Sequence, residues 1–232
     1  MFETLTAEPL FGIGLTLFIF VLAQRVYLKS RSHPLLTPVA VTIVAIIAIL
    51  LIFDIPYQSY QKGGRYILFL LGPSVVALAV PLYRKRSEIY TKRGPILAGV
   101  TAGALVSIVS ASGLAWLLGG SREVVLSMAP KSVTTPIAIA LVEKIGGIPE
   151  LTAAIVVLTG CIGAICGPEF CRLIGITSPS ATGLAVGTAS HGIGTARMLE
   201  VDLLAGAVSG LAIGLNGLVT ACLLPLLFIL FG

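Results

Sequence analysis

Residues 95–118 read "PILAGVTAGALVSIVSASGLAWLL", 24 residues without a charge, directly after the basic run "RKRSEIYTKRG" of residues 84–94. A helix gains about 1.5 Å per residue, so this stretch is long enough to cross a hydrocarbon layer about 30 Å thick. The rest of the chain has the same character. Of its 232 residues 56% are hydrophobic and 11% charged, with a mean hydropathy of +1.04; a soluble domain carries roughly 25% charge. The chain reads as an all-α polytopic membrane protein, a single integral-membrane domain.

Working outward, the pattern predicts spans at about Leu10–Leu28, Leu35–Phe53, Arg65–Tyr83, Pro95–Leu118, Val124–Val142 and Ile148–Phe170. A broken region, Leu173–Leu199, and a long final stretch, Asp202–Phe231, follow, for seven to eight segments with broken or re-entrant helices. Residues 1–64 hold the first two spans and 65–232 the core. The opening "MFETLTAEPL" carries Glu3 and Glu8 but no basic residue, so the first apolar run reads as a retained span rather than a cleaved signal. Basic residues gather at cytoplasmic ends. Arg25, Lys29, Arg31, Arg84, Lys85, Arg86, Lys92, Arg93 and Lys144 share one side, and Lys62, Arg65, Arg122 and Arg172 the other, which puts the N-terminus outside. The net charge of +5 is thereby a topology signal and not a nucleic-acid footprint. Cys161, Cys166, Cys171 and Cys222 have no CxxC spacing and no nearby histidine, so they read as small core residues; no metal and no cofactor is expected.

The chain echoes itself. "PSVVALAV" at 73–80 returns as "PSATGLAV" at 179–186, and "LAGVTAG" at 97–103 as "LAGAVSG" at 204–210, with offsets of 106 and 107 residues. "PKSVTTPIAI" at 130–139 is a weaker relative. An internal repeat with copies beginning near 72, 129 and 178 is the reading, and repeats in a membrane protein point to a transporter. Each copy opens on a small or capping residue before Pro73, Pro136 or Pro179. Proline suits the first turn of a helix, so these are expected helix breaks that line a cavity, or simple kinks. Glycine pairs four apart (99/103, 163/167, 206/210/214) allow close helix approach, within the chain or in a homodimer.

A charge at the bilayer centre costs about 2.5–3.5 kcal/mol on insertion scales, so each intramembrane ionisable group needs a reason. Lys131 follows Pro130 in the middle of the fifth span, and Ser132, Thr134 and Thr135 beside it can donate hydroxyls to a substrate. In "SHGIGTARMLE", 190–200, Gly192 and Gly194 break the helix and Thr195 caps a new one, with Arg197 in its first turn. A helix N-terminus and a guanidinium together make an anion seat; the alternative is that Arg197 pairs with Glu200 near the interface. His191, Glu169 and Glu200 are the candidates for a coupling proton, with His191 equally readable as a core residue. No protease, phosphate-loop or other enzymatic motif is present, so no enzyme is expected.

"ATGLAVGTASHGIGTARMLE" (181–200) resembles the C-terminal signature of the LrgB/CidB family, and "MAPKSVTTPIAI" (128–139) its other characteristic stretch. The resemblance implies a multi-pass protein of the bacterial plasma membrane, holin-like or antiholin-like. It implies modulation of murein hydrolase activity and cell lysis, and a small LrgA/CidA-type membrane partner. It also implies kinship with a plant plastid carrier of glycolate and glycerate, and hence a small organic carboxylate such as glycolate, glycerate, lactate or pyruvate as substrate. Two functions follow: a proton-coupled monocarboxylate carrier, or a membrane regulator or pore component with no substrate of its own.

Overall fold

The computed structural model describes residues 8–30, 33, 36–77 and 79–231, so Glu3, Arg31, Pro34 and Leu35 lie outside the described residues. Among them every regular element is a helix. The chain divides into two compact units, Met1–Ala77 and Leu78–Gly232; residues 64 and 65 fall inside a helix of the first.

The first unit holds α1 (Pro9–Lys29), α2 (Pro38–Ile52), α3 (Tyr57–Phe69) and α4 (Leu71–Ala77). Helix α1 begins on a proline and ends on a lysine, both suited to those termini. It crosses α3 where two glycines meet: a methyl group on Gly12 would strike the Tyr60 carbonyl, and one on Gly63 the Pro9 carbonyl. Thr16 fastens the crossing, its hydroxyl 2.9 Å from the Tyr60 hydroxyl. The predicted span at 65–83 is not one helix. It breaks after Phe69 and resumes at Leu71, with Pro73 in the first turn of α4, where a missing N–H removes no hydrogen bond.

The second unit holds α5 (Ala79–Arg84), α6 (Arg86–Thr91), α7 (Arg93–Leu117), α8 (Arg122–Met128), α9 (Thr135–Ile145), α10 (Pro149–Leu173), α11 (Pro179–Val201) and α12 (Leu203–Phe231). Helix α11 is the hub. It packs along α12 and α10 and meets α7. Small residues let the backbones close: a Cβ on Gly183 or Gly187 would run into the Ala205 or Ser209 carbonyl of α12. From the other sides, Gly103 sits against Thr188, Gly163 against Ser190 and Gly167 against Val186. Of the predicted glycine faces, Gly99, Gly103, Gly163, Gly167 and Gly206 serve packing within the chain, whereas a Cβ on Gly214 would meet nothing within 4 Å. Asp202 makes the sharp reversal from α11 into α12, its Oδ1 accepting from Leu204 N at 2.8 Å and Ala205 N at 2.9 Å.

The helices α1, α7, α10 and most of α12 are long and apolar enough to cross a membrane, while α2 has 15 residues. The span predicted at 124–142 is instead two short helices, α8 and α9, joined through residues 129–134. Pro130 and Pro136 bracket that joint and remove two of the donors a continuous helix would need. Large apolar side chains such as Leu51, Phe69, Leu118 and Leu173 are at least 76% exposed, an arrangement costly in water and natural in hydrocarbon. The cysteines depart from the expected core role. Cys171 is buried, but Cys166 and Cys222 face outward.

Candidate functional site

The joint between α8 and α9 is built by local hydrogen bonds. Ser121 caps α8, accepting from Val124 N at 3.4 Å. Ser127, fully buried, donates to the Glu123 carbonyl at 2.6 Å and accepts from Ile148 N at 2.7 Å, which ties the end of α8 to the start of α10. Val133 N donates back to the Pro130 carbonyl, and Thr134 becomes the N-cap of α9, one residue earlier than a Thr135 cap would place it.

Two helices hold this joint from outside. Ser107 on α7 lies 2.7 Å from the Ser132 hydroxyl. Asn216, a single amide buried to 1% exposure in α12, donates to the Ser132 carbonyl and to the Thr188 carbonyl, each at 3.0 Å. The Thr188 carbonyl belongs to the turn before a kink at His191, where the helical ladder is interrupted and its carbonyls need other partners.

Between α7, the joint and α11 lies a cavity of about 440 Å³. Gly99 and Gly103 open one wall and Leu184 and Thr188 another, with Lys131 and Ser132 at the joint. Lys131 Nζ is half-buried and donates to Ser132 Oγ at 3.2 Å. Among the described residues no carboxylate pairs with it. Thr188 Oγ1 is buried without a hydrogen-bond partner. One ammonium and three hydroxyl-bearing side chains in an otherwise apolar recess is a donor-rich set, chemically matched to a small anion.

The other expected site residues lie in two groups: His191 and Thr195 of α11 against α10 and α12, and Arg197 and Glu200 of α11 with Glu169 of α10. His191 has φ 42° and ψ −139°, a left-handed conformation that is rare for any residue with a side chain. Its Nε2 is 2.8 Å from the Val156 carbonyl; the oxygen can only accept, so Nε2 carries the proton. Gly160 makes room for the ring, since a Cβ there would lie 2.7 Å from Cε1. The break in α11 is thus at His191 itself, whereas Gly192 and Gly194 keep negative φ. Thr195 does not cap a new helix. Its hydroxyl donates back to the His191 carbonyl at 2.9 Å and meets Ser209 Oγ at 2.6 Å. Arg197 therefore stands beyond the first turn after the kink, and its guanidinium lies 3.1 Å from Glu200 and 4.0 Å from Glu169. The ion pair, rather than a free helix start, is its local environment.

The structure thus brings Lys131 and Ser132 into one cavity, puts Thr134 and Thr135 at the adjoining start of α9 outside its lining, and places His191 with Thr195, and Arg197 with Glu169 and Glu200, outside that cavity. Pro136 and Pro179 each fall in the first turn of a helix, as expected.

The profile of the LrgB-like family matches residues 16–230. The chain belongs to that family. Over 224 residues, 97% of each chain, it is 34% identical to the holin-like protein CidB of Staphylococcus aureus. It is 33% identical to the holin-like protein CidB of Staphylococcus epidermidis over 94% of this chain and 95% of that one. An uncharacterized protein of Bacillus subtilis, YxaC, is 37% identical over the same shares. No solved structure matches. In this LrgB-like chain, sequence reasoning missed Ser107 and Thr188 as parts of the cavity wall, and Asn216 as the amide that ties the joint to α11. Asn216 had a legible signal, a lone amide in a 29-residue apolar helix. Ser107 and Thr188 did not, because small hydroxyl residues are common on the packing faces of membrane helices.

Proposed function

We propose that this LrgB-like protein is a multi-pass component of a holin-like system in the bacterial plasma membrane. In this reading it regulates murein hydrolase access and lysis together with a small LrgA/CidA-type membrane partner. The observation that carries the reading is the 34% identity to holin-like CidB across 97% of both chains. The test is controlled expression of the chain alone, of the small partner alone, and of both. Co-expression should change the onset of dye entry and of cytoplasmic enzyme release relative to the partner alone. Identical lysis curves with and without this chain would overturn it.

A second reading is favoured by a different observation, the Lys131 cavity with its uncompensated ammonium. Here the protein is a secondary carrier of small monocarboxylates of the glycolate, glycerate, lactate and pyruvate class. Lys131 holds the carboxylate, Ser107, Ser132 and Thr188 donate to it, and Thr134 and Thr135 flank it at the start of α9. The coupling proton would be carried by His191, Glu169 or Glu200. The echoed segments fit an internal repeat within a chain of seven to eight membrane segments, some broken or re-entrant, with the N-terminus outside. Uptake of labelled glycolate, lactate and pyruvate into liposomes holding only this protein tests it. No uptake of any of the three, from protein shown to be folded and inserted, counts against it.

A further inference from the structure

The second unit carries another recess, on the side of the basic segment. A groove of about 300 Å³ runs between α6, α7 and α12, walled by Ile89, Ile96, Leu211 and Leu215 and bordered by Arg86 and Arg93. Its floor is well packed, with Ile89 and Ile96 buried against Ala207 and Val208. Both arginines are held in place by rings. The Arg86 guanidinium lies 4.2 Å from the centre of the Tyr83 ring, and that of Arg93 lies 4.4 Å from the centre of the Tyr90 ring. Arg86 spends one N–H on the Tyr83 carbonyl, at 3.0 Å. Among the described residues no carboxylate pairs with either arginine, because the only acid of this segment, Glu88, is taken by Lys85 at 2.9 Å. Lys92 is also engaged, reaching Ser180 at the head of α11 at 2.9 Å.

The position matters as much as the charge. Residues 94–121 contain no charged residue, so Arg93 marks the edge of the hydrocarbon layer. Tyrosines belong at that depth, and guanidinium groups reach from it toward headgroups. A free inorganic anion would use the two arginines and leave the apolar walls wet. A nucleic acid would find mostly aliphatic walls, and the one ring that lines the groove, Tyr90, is already covered by the Arg93 guanidinium. An anionic phospholipid uses both parts. We infer that this groove is a binding site for one anionic phospholipid, its phosphate held between Arg86 and Arg93 and an acyl chain laid against Ile96, Leu211 and Leu215. Guanidinium is the group of choice for phosphate because its fork can give two parallel hydrogen bonds. Basic pockets between membrane helices are a known way of holding such headgroups.

The test uses the purified full-length protein in mixed micelles, titrated with phosphatidylglycerol or with phosphatidylcholine of the same acyl chains. Native mass spectrometry reads the first bound lipid. Phosphatidylglycerol should bind more tightly than phosphatidylcholine. Arg86→Ala and Arg93→Ala should each weaken it by roughly fivefold and the pair by roughly 25-fold, from about 1 kcal/mol per basic side chain at a membrane surface. Leu211→Phe, which fills the groove and leaves the charges, should weaken it too. The control pair Arg84→Ala with Lys144→Ala removes the same charge from exposed positions outside the groove and should leave binding unchanged. An equal loss in the control pair would make the effect one of net charge and overturn the site. So would inorganic phosphate displacing the lipid while Leu211→Phe is silent.

Discussion

At the scale of single residues, the methyl group that each glycine lacks decides how closely the helices of the second unit can pack. Gly163 and Gly113 make the contrast. A Cβ on Gly163 would overlap the Ser190 side chain, whereas one on Gly113 meets nothing within 4 Å. Gly163→Ala should therefore cost about 1–3 kcal/mol through overpacking. Gly113→Ala, in the interior of α7, should be neutral or stabilising by up to about 1 kcal/mol. Thermal unfolding of both variants in the same detergent checks this, and a reversed order would show that the α10–α11 contact is wrongly placed. Arg197 gives a second residue-scale expectation. Because the Arg197 side chain is only 14% exposed between Glu200 and Glu169, Arg197→Lys, which keeps the charge and loses the planar fork, should cost about 1.5–3 kcal/mol in thermal unfolding, the range for one hydrogen bond to a charged group. Under the carrier reading Lys131→Met should abolish carboxylate binding with the fold intact, while Arg197→Lys leaves most of it. A carrier that survives Lys131→Met and fails with Arg197→Lys would move the substrate site to Arg197.

At the scale of elements, the α8–α9 joint and the kink in α11 are two interruptions held by one amide. Asn216 satisfies the carbonyls of Ser132 and Thr188 at once. Asn216→Leu keeps the branching and the number of heavy atoms, adds some bulk, and leaves both carbonyls without that donor, at about 1–3 kcal/mol for each buried group so abandoned. The expected outcome is a lowered melting temperature together with faster labelling of a cysteine placed at position 131. Unchanged labelling would mean that the joint is held by Ser107 and the Ser127 contacts alone. His191 belongs to the same scale, since its strained backbone persists only because the ring is fastened to Val156. His191→Ala should therefore destabilise α11 more than an ordinary core truncation of that size.

At the scale of the whole molecule, the open quantity is topology. In a variant with the four native cysteines replaced, a single cysteine in 84–93 should label only from the cytoplasmic side, and one in 54–64 only from outside. Labelling of the basic segment from outside would overturn the N-terminus-outside orientation and leave the groove at Arg86 and Arg93 on the other leaflet. A carrier and a holin-like regulator also differ at this scale, because only the carrier moves a carboxylate in a membrane that contains no other protein.

By itself the sequence determined the class of fold and the approximate ends of the long apolar helices α1, α7, α10 and α12. Charge-free runs such as 94–121 have no stable place but hydrocarbon, and Pro136 and Pro179 suit the first turn of a helix, where a missing N–H removes no hydrogen bond. It also pointed to Lys131, since a cation among apolar residues is conspicuous without any structure. What it could not decide was where a helix breaks when proline and glycine are not the cause. His191 breaks α11 because Val156 and Gly160, more than thirty residues away, accept its ring, and the two flanking glycines stay helical. Nor could it decide which polar groups share a space. Lys131 and Arg197 look alike as lone cations in greasy sequence. Only the packing of α7, α11 and α12 leaves the first facing a cavity and places the second beside Glu200 and Glu169.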